Sequence, residues 1–190
     1  MSLFDARVRF TNLFGFFSVF ATGIAQITVG FVAVQRFGLD KEAATQLAAL
    51  ALFAVGVALI PAQLVIGHLG WKPDQLVSRG ALIAATGALW AAFAPEQWQL
   101  IASYGLAGFG AGWMFAGLTA RASVAVSHEE QGQAAGAISA AQGLGGMTGP
   151  LIGAALFDLW PVAPMVLAGT AFGLVGLGAL LVPVVRHGES

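Results

Sequence analysis

The chain has no cysteine, and only 9% of its 190 residues are charged. Without cysteine there is no disulfide and no thiolate metal site. A soluble domain carries roughly 25% charged residues, so an ordinary water-soluble fold is excluded. With 58% hydrophobic residues the chain has to be solvated by lipid. Its net charge of −1 offers no basic surface to nucleic acid. There is no P-loop, no H-E-x-x-H and no nucleophile elbow, so no motif supports an enzyme and no cofactor is expected. His68 has no second histidine or carboxylate at ligand spacing, so no metal is expected either. No Asp, Glu, Lys or His stands at the centre of an apolar run, where proton pumps and ion-coupled carriers usually need one. Short alternating strands are missing too, which argues against a barrel.

What is present is a series of long apolar runs. They predict an all-α membrane protein, a single six-helix transmembrane domain over 1–190, with spans at about 8–34, 43–66, 76–94, 97–121, 131–156 and 162–185. The first run begins near Phe10, continues past Phe31 and has no clear cleavage site, so it reads as a span that stays. Short connections make consecutive helices antiparallel neighbours. With an even number of spans both termini share one side. That side collects Arg7, Arg9, Lys72, Arg79, Arg121 and Arg186, against Arg36 and Lys41 on the other, which puts both termini in the cytoplasm. Trp71, Trp98 and Trp160 stand at span ends, as interfacial anchors do.

The stretch Gln131 to Leu156 organises the rest. It is uncharged but dense in glycine, and Gly132/Gly136, Gly145/Gly149 and Gly149/Gly153 are small-xxx-small pairs. Such pairs let helix backbones approach closely in lipid. Pro150 inside the span removes an N–H and predicts a bend satisfied by neighbouring helices. Pro61 predicts a second bend, with Gln63 placed to bond the freed backbone. Gln26 falls within the hydrocarbon, where an unpaired amide is costly, so it faces protein, water or ligand. In the fourth span Phe109, Trp113 and Gly117 share one face, which fits either a drug-sized cavity or ordinary packing. Gln142 lies mid-span in the fifth. Arg121 is expected to snorkel to the surface, and Glu129 and Glu130 to favour the start of the fifth helix.

The sequence Gly145-Gly-Met-Thr-Gly-Pro-Leu-Ile-Gly153 matches G-x-x-x-G-P-x-x-G. On that motif and its six spans the chain resembles one half of a major facilitator superfamily transporter, of the twelve-helix drug:proton antiporter type. The loop Gly67-His-Leu-Gly-Trp-Lys-Pro-Asp74 keeps the glycine and leucine of the G-x-L-a-D-r-x-G-R-K pattern but has Trp71 where the acid stands. In the fourth span Tyr104 stands where the N-terminal half carries an arginine tied to proton coupling, and Ala107 where it carries glutamine. Both departures resemble the C-terminal half, helices seven to twelve.

The resemblance implies secondary active transport, of efflux type, of a small organic substrate across a bacterial inner (cytoplasmic) membrane, with membrane lipid as surroundings. One half holds half a site, so a complementary N-terminal half or a homodimer is implied. The expected substrate pathway is Gln26, Phe109, Trp113 and Gln142, and Gly145, Gly149, Pro150 and Gly153 form a kinked packing hinge. A chain that opens on methionine and ends in a polar tail fits a complete small protein, and a fragment of a longer one equally. A non-transporting membrane interaction protein, modulating a partner, is the alternative.

Overall fold

The computed structural model describes residues 2–182 and 184. Among these there are six α-helices: α1 (Arg9–Phe37), α2 (Lys41–Leu69), α3 (Pro73–Phe93), α4 (Gln97–Val124), α5 (Gln131–Leu159) and α6 (Ala163–Leu181). A single 3-10 turn, His128–Glu130, precedes α5. Pro183 and Arg186, read above as part of the last span and its charge, lie outside the described residues.

Local chemistry sets the breaks. α1 ends at Gly38, whose φ of 63° is the left-handed conformation glycine adopts without strain. Asp40 then caps α2, accepting from the Ala43 N–H at 2.8 Å. Gly70, at φ 56°, ends α2, and Pro73 opens α3. The helices outrun the apolar runs read from the sequence because a helix continues through the headgroups. At 1.5 Å per residue, α1, α2, α4 and α5 are about 43 Å long, the full bilayer with headgroups. α3 and α6, with 21 and 19 residues, match only the hydrocarbon core.

Five of the six helices are long and apolar enough to cross a membrane; α5 is the exception. It has the length, 29 residues, but glycine, glutamine and serine dilute its apolarity. It is held by packing instead. Its Gly145, Gly149 and Gly153 are buried against α1, where an added Cβ would overlap Phe16 O and Phe20 O and meet Ile24 at 3.3 Å. Gly23 of α1 returns the favour, lying 2.9 Å (as a built Cβ) from the Pro150 ring. α5 remains one continuous helix through Pro150.

The packing pattern has an internal symmetry. α1 lies along α5, as α4 lies along α2; α3 packs on α4, as α6 packs on α1; α3 and α6 meet each other. Exchanging the triple α1–α2–α3 with α4–α5–α6 maps the first four contacts onto one another in pairs and the α3–α6 contact onto itself. Helix lengths repeat in step: 29, 29 and 21 residues, then 28, 29 and 19. The interior prolines fall at matching depths, Pro61 in α2 and Pro150 in α5. The buried centre is formed by α1, α3, α4 and α6, with Ile24, Val77, Met114, Leu118, Phe172 and Val175 among its larger side chains. α2 and α5 form the flanks and leave long apolar faces open: Leu50, Phe53, Ile60 and Leu64 on α2, Leu144, Met147 and Leu151 on α5.

Candidate functional site

A partly enclosed cavity of about 60 Å³ lies between α1, α2 and α4, backed by α3 and α6. Thr22, Gln26, Ser103 and Tyr104 are its polar lining; the rest includes Leu52, Val55, Ala107, Gly108 and Ala111. Each hydroxyl is already committed. Thr22 donates to Ser18 O at 2.8 Å, Ser103 to Leu100 O at 2.7 Å and Tyr104 to Ala25 O at 2.6 Å. Gln26 makes no hydrogen bond to a described residue and is exposed. Its amide offers two N–H donors and a carbonyl acceptor to whatever enters. No acid or base lines the cavity. The arrangement can orient one neutral polar group against an apolar wall.

The other expected pathway residues sit elsewhere. The Phe109 and Trp113 rings lie with centroids 4.7 Å apart, tilted at 59°, and Trp113 meets Trp71 edge-on at 5.0 Å. Trp113 is 8% exposed and donates its Nε1–H to Ala62 O at 2.9 Å, so it bolts α4 to α2. Gly117, on the same stripe, is pressed against Val77 of α3. The α4 face that lines the cavity is the neighbouring one, Tyr104, Ala107, Gly108 and Ala111. Gln142, half-buried, packs beside Gly15 of α1. Gly15 and Gln26 are 11 residues apart on one helix, so the two amides stand at levels roughly 16 Å apart. Gln63 reaches Gly112 O on α4 at 3.5 Å rather than the carbonyl freed by Pro61.

Charge is organised at the helix ends, and here the structure corrects the sequence reading. Arg121 does not snorkel. It is 2% exposed, ion-paired to Asp74, with Nε 3.3 Å from Thr11 Oγ1 and Nη2 donating to Val182 O at 3.1 Å. Asp74 also accepts from the Val184 N–H at 3.2 Å. The acid absent from position 71 is thus supplied three residues further on. At the opposite end Arg36 donates to Ala91 O, Ala94 O and Ala92 O at 3.0, 3.2 and 2.7 Å. The two arginines are counterparts under the internal symmetry. Each rises from the first helix of its triple to the C-terminal end of the third, the short one. A helix ending at the hydrocarbon edge leaves carbonyls without water, and a guanidinium satisfies several at once. Glu130 is not merely a dipole partner for α5: Arg7 donates to both its carboxylate oxygens at 2.8 and 3.0 Å. That pairing, with help from Ser127, holds the Glu130 carboxyl down at about 2.

Tyr104 and the two arginines were the functional candidates least visible in sequence. The signal for Asp74–Arg121 was an acid at the first turn of one helix and an arginine near the last turn of the next.

Six helices in two packing-equivalent triples, with a cavity between the first helices of each, define a polytopic membrane protein of the transporter class. The family model of the Major Facilitator Superfamily matches residues 11–190. The chain belongs to that superfamily and is a membrane transporter protein. No curated protein matches it.

Proposed function

We propose that this chain is the C-terminal six-helix half, helices seven to twelve, of an efflux-type transporter resembling drug:proton antiporters, with a small lipophilic organic substrate and both termini in the cytoplasm. The observation that carries the reading is the paired packing of the two triples, since each six-helix half of such a transporter nests a 3+3 inverted repeat. Cavity size supports it further. A drug-sized site needs about 300–1,000 Å³; the 60 Å³ here is one wall of such a site. A complementary half, or a second copy, completes it across the open faces of α2 and α5. Gln26 is the polar contact for substrate. Phe109, held by Trp113, offers its half-buried ring, and Gln142 serves the pathway at a second level. Gly145, Gly149, Pro150 and Gly153 form the close-packed hinge along α1.

The test is dye efflux from proteoliposomes holding the chain with its complementary half or at densities that allow self-association. Gln26→Ala is expected to raise KM several-fold with assembly unchanged. Efflux absent from every assembled form would contradict the reading. It would favour the non-transporting alternative, to which the lack of a carboxylate, histidine, lysine or arginine in the cavity also points.

A further inference from the structure

The N-terminal segment, α1 and α5 line an open cleft of about 310 Å³, remote from Gln26. Its walls are Leu3, Phe4, Phe10, Leu13, Phe16 and Leu144. Arg9 stands at its rim, exposed, with its guanidinium 4.9 Å from the Phe10 ring. Among the described residues no carboxylate pairs with Arg9. At the same end Arg7 is paired with Asp5 and Glu130, and Arg121 with Asp74. Asn12 also lines the cleft, at 4% exposure. Its Nδ2 donates to Leu3 O at 2.9 Å, while its Oδ1 is buried without a donor. A buried acceptor left unpaired is uncommon and costs stability.

An apolar slot, an unpaired cation at its mouth and an unmet acceptor beside it, all at one end of helices that span a bilayer, match one chemistry. We propose that this cleft binds an anionic glycerophospholipid. An acyl chain lies along Phe10, Leu13 and Leu144, and the phosphate meets Arg9. Arginine near a membrane surface attracts anionic lipid, and basic pockets between spans select headgroups. The site shares no residue with the Gln26 cavity, and its Leu144 belongs to the open α5 face, so the lipid would border any second half docked there.

The test is native mass spectrometry of the full chain released from micelles containing equal phosphatidylglycerol and phosphatidylcholine. One well-placed arginine predicts about fivefold preferential retention of phosphatidylglycerol. Arg9→Gln is expected to bring the ratio near one, whereas Arg79→Gln, whose side chain covers Trp71 outside the cleft, leaves it unchanged. Leu144→Gln, which alters the slot and not the charge, should lower phosphatidylglycerol retention as well. Equal retention by the unmodified chain, or a preference that survives Arg9→Gln, would overturn the proposal. So would full displacement by millimolar glycerol phosphate, which would make the site one for a free anion.

Discussion

Replacing Gly149 by alanine tests the α1–α5 seam at its tightest point. A Cβ there overlaps Phe20 O and lies 3.1 Å from Phe20 C and Cα. These are backbone atoms in mid-helix and cannot rotate away, so α1 and α5 must separate. Overpacking of this kind costs about 1–3 kcal/mol. Alanine recovers roughly 0.5–1 kcal/mol of helix propensity over glycine, leaving a net loss of up to about 2.5 kcal/mol. Gly143, two residues before the seam begins, has nothing within 4 Å of a built Cβ. Gly143→Ala should therefore stabilise by about 0.5–1 kcal/mol. Gly145→Ala meets Phe16 O in the same way. The Gly145→Ala/Gly149→Ala double variant should cost less than the sum, because one outward shift of α1 relieves both overlaps. The assay is reversible unfolding of the purified chain in mixed micelles. If Gly149→Ala and Gly143→Ala shift stability in the same direction, the seam as described is wrong.

Arg121→Gln breaks a buried ion pair, and because Asp74 keeps 22% exposure the loss should fall near the lower end for such pairs, about 3 kcal/mol. Arg121→Lys should not restore it, since one ammonium cannot reach Asp74, Thr11 and Val182 together; full rescue in the same unfolding assay would count against the hub. Arg36→Gln removes charge-assisted bonds to three carbonyls and should cost about 1.5–3 kcal/mol, with faster hydrogen exchange confined to the last turn of α3. The Glu130 carboxyl titrates lower in the folded chain, at about 2, than its ordinary 4.5. Its contribution is therefore complete above about 4.5 and fades as pH falls toward 2. Arg7→Ala should raise the Glu130 value toward 4.5 in a carboxyl NMR titration, and an unmoved titration would remove Arg7 as its main cause.

The number of helices was legible because lipid demands long apolar runs, but the expectation that short connections make consecutive helices neighbours fails for α2 and α3, which barely touch, while α1 lies along α5 and α2 along α4. The seam was legible in part. Gly132/Gly136 and Gly145/Gly149 have the same spacing, yet the first pair faces open space and the second lies against α1. Spacing reports that a face is narrow, not which helix fills it. Arg121 was misread for a related reason. An arginine near a span end usually reaches outward, and its partner lies 47 residues away in the chain. Phe109 and Trp113 share a face as expected, but a helix has several neighbours. Here that face meets α2 and Trp71, while Tyr104 and Ala107 turn to the cavity. Gln26 is a lone amide in its apolar run, and the structure places it in the cavity lining with no hydrogen bond to a described residue.

The central claim is that this bundle works against a second six-helix unit through α2 and α5. The absence of native cysteine gives a clean background for testing it. Single cysteines at Gly136 or Gly143, on the open stripe of α5, would be cross-linked in native membranes, with Leu177→Cys on the outer face of α6 as control. The account predicts adducts from the α5 positions only, at twice 19.4 kDa for self-association or at the mass of a complementary half. A 19.4 kDa monomer from all three positions, in membranes where the chain is folded, would contradict it.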